Sequence, residues 1–528
     1  MGWKDLNLTW HYVEKWAAET PAREALVCGG ERITWYEFKR RVDRAAKALL
    51  EAGVQRGDCV AMLSMARIEF MVTFMATLKI GARWLGLSPK FTVDELRYIV
   101  SDAQPKVLVT IREFAGRDFE DDIRSIWNTC GCIRKILVLG EPFEDAEDFG
   151  AYTSATRDDQ DTHLYRRSGM GKPDDDALLM YTSGSTGRPK GVLHTHASII
   201  ANVAVQIQHF GFTAASRSLL HFPINHVAAD VEIGFASVYA GATIVMMERF
   251  DPTQTLRVIE QEGVTVMGQI PAMFLMQMQT PLWALTDLSK VETFIWSGVA
   301  APRTMVEALA EVAAKTGARL LTGYGSTEVA GFVTYTAPGD DIDTLHKTGG
   351  TIAPPFELKI VDERRQPLPQ GEVGEIALRG PMMMKGYFNN PAATEEVLDV
   401  DGWYYTNDLA RLDERGYIHI CGRKSEMFKS GGENVYPREI EEVLEGHPGV
   451  LFSAVLGVPD PTYQEVGRAF VAIKPGYTLT EDDLRAYCKE RLANFKVPRR
   501  FDFREHLPLL PTGKVNKPAL KAQMALDI

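Results

Sequence analysis

A run of glycine, hydroxyl and lysine residues could bind a polyphosphate. It spans Tyr181–Gly191, reads YTSGSTGRPKG, and follows the apolar strand candidate Ala177–Met180. Glycines let a backbone approach an anion closely, hydroxyl and amide groups donate hydrogen bonds, and Lys190 adds a positive charge that can reach a phosphate. This combination after a buried strand favours a phosphate-binding loop over a flexible polar surface loop.

The loop differs from the phosphate loop of kinases and GTPases. That loop follows the pattern G-x-x-x-x-G-K-[ST], in which a hydroxyl residue comes directly after the lysine. Here Pro189 precedes Lys190 and Gly191 follows it. A nucleotide hydrolase or kinase of that class is therefore disfavoured.

Four later motifs extend the pattern. They are Gly323–Glu328 (GYGSTE), Tyr405–Asp408 (YTND), Gly422-Arg423 and Pro511–Val515 (PTGKV). With the glycine loop, this ordered series resembles the adenylate-forming superfamily, which includes acyl-CoA synthetases, amino-acid-adenylating domains and beetle luciferases. Several motifs in order are far more specific than a single glycine loop, and the likeness covers nearly the whole chain.

The resemblance implies an ATP-dependent acyl-CoA ligase. Such an enzyme converts a small-molecule carboxylic acid to its acyl-CoA through an acyl-adenylate and releases AMP and pyrophosphate. ATP, Mg²⁺ and coenzyme A are the implied cofactor set. The expected acid is apolar, with a fatty, alicyclic or aromatic tail.

Three alternatives stay open. The acyl group could pass to the thiol of a carrier protein, although no carrier domain follows Lys514 in this sequence. Oxygen chemistry of the luciferase kind is a second alternative that no residue selects. A nucleotide-binding scaffold without turnover is the third, and the intact catalytic candidates argue against it.

By resemblance, the ATP and AMP site draws on the glycine loop, one turn and the later motifs. Tyr324 offers a flat face for adenine, Thr327 a hydroxyl for phosphate, and Glu328 an oxygen ligand for Mg²⁺. Asp408 would bond the ribose hydroxyls, with Arg423 beside it. The full expected set is Thr182, Ser183, Gly184, Ser185, Thr186, Gly187, Lys190, Val299, Ala300, Ala301, Pro302, Gly323, Tyr324, Gly325, Ser326, Thr327, Asp408, Arg423 and Lys514.

Lys514, Glu328 and Thr182 are the expected catalytic residues. An isolated lysine is usually a solvated surface group, but Lys514 lies within the last motif. The resemblance makes it the cation that bridges the substrate carboxylate and the α-phosphate during adenylation. Removing one such electrostatic group typically costs about 3–4 kcal/mol in the barrier, by analogy with an oxyanion donor.

The acyl pocket is expected between three segments, around 221–230, 296–300 and 324–332. His226 stands near the position where amino-acid-adenylating domains place an aspartate for the α-amine, so an amino-acid substrate is disfavoured. Whether His226 is a satisfied core histidine or a gating residue stays open, and His194 and His196 are interpreted as structural. The expected lining is Phe222, His226, Val227, Trp296, Val299, Val329, Ala330 and Gly331.

A second loop resembles the one that helps form the thiol channel in acyl-CoA synthetases. It contains Lys429, Ser430, Gly431 and Gly432, which are the expected CoA-binding residues. The hinge of the superfamily often carries Asp or Lys, whereas this chain has Ser425 at that point. Ser425 is therefore the expected hinge, with a departure from the usual residue type.

These motifs need an α/β scaffold to position them. Strand-like runs at Cys59–Leu63, 106–110, 242–247, 264–267 and 293–297 alternate with helical patterns, which favours buried parallel strands. Helices are predicted at 35–52, 68–79 and 93–102, of which the last two are expected to be amphipathic. Period-two alternation after Gly350 predicts a β-rich subdomain. The expected architecture is a large N-terminal α/β domain, residues 1–424, and a small mobile α+β domain, residues 425–528.

Composition excludes several other classes. The chain has 528 residues, 45% hydrophobic and 24% charged, and a net charge of −12, which would repel nucleic acid. Six scattered cysteines fit neither a disulfide framework nor a zinc site. The uncharged run 233–247 is shorter than the roughly 20 residues that cross a bilayer. A cytoplasmic protein is expected, and the sequence leaves its oligomeric state open.

Overall fold

The computed structural model describes residues 6–156, 160–182, 188–474, 476–508 and 515–526. Two predicted elements of the site, Ser183–Gly187 and Lys514, lie outside the described residues. Within them, two large sheets build the N-terminal part of the chain, and a smaller sheet builds the C-terminal part. The expected α/β class is confirmed.

The eight-stranded sheet carries the glycine loop. Its five central pairings are parallel, and the hairpin that holds the loop adds antiparallel pairings at one side. The central strands are buried apolar runs, as expected for a sheet covered on both faces. In spatial order the strands are Gly386–Tyr387, Lys190–Thr195, Asp176–Thr182, Arg83–Leu87, Cys59–Leu63, Pro105–Ile111, Lys135–Leu139 and Glu147–Asp148.

The seven-stranded sheet carries the segments predicted to bind adenine and the acid. All its neighbours run parallel except for the last pair. In spatial order the strands are Arg319–Thr322, Thr293–Trp296, Val266–Gln269, Arg217–Leu220, Thr243–Met246, Glu24–Cys28 and Glu31–Thr34. The predicted strands of both sheets are therefore present, with ends shifted by one or two residues.

One helix differs from its prediction. Ile68–Lys79 is helical over the predicted range, but it is buried on all faces except at Glu69, so the expected amphipathic character is wrong. The helix packs in the core that both large sheets share. Its single buried charge, Lys79, is neutralised by the carboxylates of Glu14 and Asp43, which satisfies the requirement that a buried cation be paired.

Two of the predicted helices begin at the local start signals in their sequence. Trp35–Glu51 begins after Thr34, whose hydroxyl accepts from the Glu37 N–H, and Val93–Ala103 begins with a full capping box of Thr92 and Glu95. The other helices are His11–Glu19, Glu120–Cys130, Phe149–Ser154, Gln160–Ser168, His196–Phe210, Ala236–Ala240, Pro252–Glu262, Pro271–Met278, Arg303–Thr316, Ile342–Lys347, Pro391–Val397, Pro437–Glu445, Glu481–Lys489 and Lys517–Leu526, with a π-helix at Ala228–Phe235.

The predicted β-rich region is an antiparallel sheet of four strands. They are Glu357–Val361, Gly374–Arg379, Tyr404–Leu412 and Ile418–Arg423. After Arg423 the chain enters a second antiparallel arrangement, to which Arg500–Arg504 adds a parallel strand. Its strands are Glu433–Val435, Phe428–Ser430, Gln464–Ile473 and Val450–Asp460. The link between the two sheets contains the exposed Ser425, so a hinge there agrees with the topology and stays a prediction.

The described part of the chain contains no helix that is both long and apolar enough to cross a membrane. Its six cysteines are free thiols. The cytoplasmic location stays a prediction.

Candidate active site

The glycine loop connects the two strands of a hairpin. Asp176–Thr182 and Lys190–Thr195 are antiparallel, with Thr182 opposite Lys190 in register. The Thr182 hydroxyl donates to the Lys190 carbonyl at 3.5 Å, and the Tyr98 hydroxyl donates to the Pro189 carbonyl at 3.2 Å. Both ends of the loop are therefore fixed to the eight-stranded sheet.

Lys190 and Glu328 meet through a tyrosine that the motifs did not indicate. The Lys190 Nζ lies 5.0 Å from the centre of the Tyr387 ring, and the Tyr387 hydroxyl donates to Glu328 Oε1 at 3.0 Å. The Met384 N–H also donates to the Glu328 carbonyl at 2.8 Å. Burial, reinforced by the Glu328 charge, raises the pKa of Tyr387 above its ordinary value. The tyrosine therefore stays a hydrogen-bond donor at neutral pH.

The donor set around Glu328 fits a magnesium ion bound together with ATP. No cluster of three or more Asp, Glu, His or Cys that could hold a metal occurs among the described residues. One carboxylate is nevertheless sufficient for Mg²⁺ when substrate phosphates complete its coordination. The Tyr387 hydroxyl bonds only one oxygen of Glu328, so the other oxygen can serve as a ligand.

His194 positions the peptide that carries Thr327. The ring is buried, with Nε2 2.7 Å from the Thr327 carbonyl oxygen and Nδ1 3.1 Å from the Ser198 hydroxyl. Because a carbonyl oxygen can only accept, Nε2 carries the proton and Nδ1 accepts. Burial lowers the pKa of His194 to about 4, which keeps the ring neutral. His196 is also buried and pairs with the Thr9 hydroxyl at 2.9 Å, away from these motifs.

The nucleotide motifs lie at the carboxyl edge of the seven-stranded sheet. Val299–Pro302 follows the strand Thr293–Trp296, and Gly323–Glu328 follows the neighbouring parallel strand Arg319–Thr322. Ligands of open parallel sheets bind at this edge. The Ser297 hydroxyl joins the two segments by donating to the Gly323 carbonyl at 2.9 Å.

Two glycines in the GYGSTE motif are required by close backbone contacts. A methyl group on Gly323 would lie 2.1 Å from the Thr334 carbonyl oxygen, and one on Gly325 would lie 2.0 Å from the Gly331 carbonyl oxygen.

The hydroxyl of Ser326 is buried without a hydrogen-bond partner in the described part of the chain. Since a buried hydroxyl without a partner is unfavourable, this oxygen is suited to a ligand such as a phosphate.

Tyr324, predicted to face adenine, is connected to Asp408 and Arg423, which are predicted to lie at the ribose. The Tyr324 hydroxyl donates to Asp408 Oδ2 at 2.7 Å, and Arg423 Nε lies 3.1 Å from Asp408 Oδ1. The nearby Asp408 carboxylate raises the pKa of Arg423, and burial raises that of Tyr324. Asp408 is therefore oriented by both partners, and each oxygen keeps a lone pair for a sugar hydroxyl.

The expected acyl-pocket residues fall in two core clusters. Val227 and Val329 belong to the extended core that both large sheets share, and Phe222 packs against that core. Ala330 and Gly331 are buried directly after Val329, while Val299 is exposed near the edge of the sheet. Trp296 does not join this group, because it packs with Phe274 and Phe294 in a separate core cluster.

His226 lies two residues before the π-helix Ala228–Phe235. It is half-buried, its ring Nδ1 accepts from the Ala228 N–H at 3.1 Å, and its carbonyl accepts from Ala229 and Asp230. These bonds shape the entrance to Ala228–Phe235. Glu232, inside that helix, was not expected in the pocket, although it and Asp230 are the only charged residues between positions 221 and 247.

The predicted CoA loop is the tip of a hairpin in the C-terminal sheet. Phe428–Ser430 pairs with Glu433–Val435, and Gly431 and Gly432 form the two-residue turn with φ of 61° and 90°. Positive φ at both positions is the requirement of a tight hairpin turn that glycine meets. Lys429, Gly431 and Gly432 are exposed, and Ser430 is buried.

The residues after Lys514 are anchored to the hinge region. Lys517 Nζ lies 2.6 Å from a carboxylate oxygen of Glu426 and 2.8 Å from one of Glu441. Glu426 is the residue after Ser425. Lys514 itself lies outside the described residues, so its predicted role is untested by these contacts.

Comparison with known proteins agrees with this arrangement. The AMP-binding enzyme family matches residues 13–388, and the AMP-binding enzyme C-terminal domain matches residues 439–514. A feruloyl-CoA synthase of Amycolatopsis sp is 34% identical over 503 residues, covering 95% of this chain and 96% of that protein. A 3-[(3aS,4S,7aS)-7a-methyl-1,5-dioxo-octahydro-1H-inden-4-yl]propanoyl:CoA ligase of Rhodococcus jostii (strain RHA1) is 34% identical over 504 residues, covering 94% and 95%.

A solved structure is similar over almost the full length. The anthranilate CoA ligase AuaEII, in complex with anthranoyl-AMP, superposes with a TM-score of 0.90 at 25% identity, covering 99% of this chain and 98% of that chain. Fold and family matches together define the class: the chain belongs to the AMP-binding enzyme family, within the adenylate-forming superfamily. It is an AMP-forming acid–CoA ligase, which uses ATP and CoA with Mg²⁺.

Proposed function

We propose that this ligase activates an apolar, ring-bearing carboxylic acid between the glycine-loop hairpin and the Gly323–Gly331 segment. The acid carboxylate attacks the α-phosphorus of ATP, the bond from that phosphorus to the bridging oxygen breaks, and pyrophosphate leaves with the bonding electrons. The CoA thiol then loses its proton and its sulfur attacks the acyl carbonyl. The carbonyl–oxygen bond of the adenylate breaks, and AMP leaves.

The observation that carries the proposal is that Tyr387 contacts both Lys190 and Glu328, close to the point where the glycine loop leaves its hairpin. Tyr387 thus holds a lysine and a carboxylate close to each other, an arrangement that suits a metal-bound polyphosphate. The lysine would contact phosphate directly, and the carboxylate would hold the Mg²⁺. The Tyr324, Asp408 and Arg423 group supplies acceptors for the sugar. Lys514 would then add the charge that stabilises the transition state.

The apolar tail and the ring of the proposed acid rest on different observations. The pocket side chains in the shared cluster, Phe222, Val227 and Val329, are apolar, which favours an apolar tail. The two relatives and the solved structure described above carry the names of ring-bearing acids.

The C-terminal part is proposed to act in both half-reactions. Lys514 would serve adenylation, and the exposed tip at Lys429–Gly432 would approach the site for thioester formation after a rotation near Ser425. The short link between the two sheets supports this hinge, because few residues have to change conformation.

Release of AMP from ATP, with a panel of ring-bearing and straight-chain acids, tests the proposal. We expect AMP release that requires CoA, and pyrophosphate exchange into ATP without CoA. Glu328→Gln should reduce exchange, and Glu311→Gln, at an exposed position on the helix Arg303–Thr316, is the matched control that should not. The absence of exchange with every acid, or turnover only with a carrier protein, would contradict the proposal.

A further inference from the structure

Glu232 is a half-buried carboxyl residue beside the proposed acyl pocket. It lies in the π-helix Ala228–Phe235, whose other residues are all buried. A methyl group placed on Gly331 would lie 3.1 Å from Glu232 Cγ and 3.4 Å from its Oε1. The carboxyl group therefore faces the last residue of the predicted pocket segment.

Asn202 presents a second acceptor at the same point. Its Nδ2 donates to the carbonyls of Val329 and Phe332, both at 2.8 Å, which fixes the orientation of the amide because carbonyl oxygens only accept. The opposite atom, Oδ1, is buried without a hydrogen-bond partner and lies 3.4 Å from the methyl position on Gly331. Glu232 and Asn202 thus converge on one position.

Gln206 extends this acceptor-rich surface by one helical turn. Its Nε2 donates to the Glu232 carbonyl at 2.6 Å, and its Oε1 is buried without a partner. Within the described ranges, no hydrogen bond or ion pair reaches the Glu232 side chain. Burial raises the pKa of Glu232 to about 8, as expected for a carboxyl group without a nearby cation.

Two buried oxygens at this point, Asn202 Oδ1 and Gln206 Oε1, have no hydrogen-bond partner among the described residues, which is unfavourable. With a pKa of about 8, the Glu232 carboxyl carries one proton at neutral pH and can donate to only one acceptor. A ligand that supplies a further donor would complete the group. Thr327 and Glu328 mark the reacting end of the site, and Gly331 follows three residues after Glu328. Because the proposed function assigns Gly331 to the acyl lining and Glu328 to the metal–nucleotide complex, these polar groups are assigned to the tail of the acid and not to its carboxylate.

We propose that Glu232 and Asn202 are specificity-determining residues that bind a hydroxyl or amino group on the tail of the acid, away from the carboxylate being activated. The substrate class is thus a carboxylic acid with an apolar body and a distal hydrogen-bond donor. This inference rests on the proposed function, because it takes the position of the acyl pocket from it.

The test compares acids that differ at one substituent. The probes are 3-phenylpropanoic acids with a ring hydroxyl, amino, methoxy or methyl group, assayed by CoA-dependent AMP release. A site built to bind a donor discriminates against analogues that lack it. Of the hydroxyl-substituted and amino-substituted acids, we expect the better one to exceed the methyl-substituted acid in kcat/KM by about 10–100-fold, the range for leaving a buried polar group without its partner. The separate amino and hydroxyl probes show which donor is preferred.

Two variants at position 232 connect the preference to the residue. In Glu232→Leu, the ratio of kcat/KM between the donor acid and the methyl acid should fall to about one, with a gain on the methyl acid. Glu232→Gln keeps an acceptor oxygen and should retain part of the preference. Because each ratio is taken within one preparation, a lower folded fraction cancels. Glu311→Leu, the same change on an exposed surface, should keep the wild-type ratio.

The possible failures can be told apart. Turnover of all four acids without a donor preference, or a preference that survives in Glu232→Leu, overturns this inference and leaves the proposed function intact. No AMP release with any acid in the wider panel overturns both.

Discussion

Replacement of Tyr387 by Phe tests how Glu328 is held for the metal–nucleotide complex. The hydroxyl donates to Glu328 Oε1 at 3.0 Å, and the ring of the same residue lies beneath Lys190. Phenylalanine keeps the ring and removes only the donor. A hydrogen bond to a charged group contributes about 1.5–3 kcal/mol, and every 1.4 kcal/mol or so is a factor of ten. We therefore expect kcat/KM for MgATP to fall about 10–100-fold.

Pyrophosphate exchange measured over a range of Mg²⁺ concentrations is the appropriate assay for Tyr387→Phe. A carboxylate that has lost its orienting partner should need more Mg²⁺ for half-maximal exchange. The matched control is Tyr417→Phe, which removes a similar bond, from the Tyr417 hydroxyl to Asp340 at 2.9 Å, outside the nucleotide motifs. An unchanged Mg²⁺ dependence in Tyr387→Phe, or an equal effect in the control, would refute the reasoning.

Three further changes test other parts of the molecule. Lys514→Ala should raise the barrier of adenylation by about 3–4 kcal/mol, which nearly abolishes that step. Thioester formation from supplied acyl-adenylate should be spared. Unchanged pyrophosphate exchange would contradict this expectation. Burial lowers the pKa of His194 to about 4 and of His221 to about 3. As the pH falls, the unfolded chain therefore protonates its histidines before the folded chain does. The free energy of unfolding should decrease between pH 6.5 and 4, by up to about 3 kcal/mol for each ring. A constant free energy of unfolding in urea titrations would contradict this. Lys517→Met should leave Glu441, 5% exposed, without its nearest cation and destabilise the fold by up to about 3–5 kcal/mol; a change below about 0.5 kcal/mol in urea unfolding contradicts this.

The fold was largely predictable because its strands carry strong local signals. Runs such as Cys59–Leu63 are apolar, short and bounded by polar residues, so tertiary packing adds little to their identification. The helix Ile68–Lys79 was located correctly, but its environment was not. The stretch was expected to be amphipathic, whereas even its Lys79 is buried, in ion pairs with residues more than thirty positions away. Such pairs leave no local pattern.

The residues expected to bind the nucleotide were easier to predict than the residues that hold them in position. Asp408 and Arg423 belong to motifs and do lie together. Tyr387 and His194 do not stand out by spacing, and their importance comes from contacts with Glu328 and Thr327, which are distant in the chain. Hydrogen bonds of this kind depend on how the two large sheets approach each other, and neither composition nor periodicity encodes that.

The acyl pocket is difficult to predict for a different reason, which is that the direction of each side chain has to be known. Ile295 and Trp296 are adjacent on a strand, so their side chains leave opposite faces of the sheet; Ile295 joins the cluster with Val329, and Trp296 joins the other core. A prediction that is wrong by one residue therefore moves a side chain out of the pocket altogether. The π-helix has a related effect, because its wider turn breaks the 3.6-residue spacing from which a helical face is inferred. Glu232 lies in such a turn, so its proposed place beside the pocket follows from the wide backbone turn and not from hydrophobic periodicity. The residues proposed to set substrate preference thus lie where sequence patterns are least informative, whereas the nucleotide motifs lie where they are most informative.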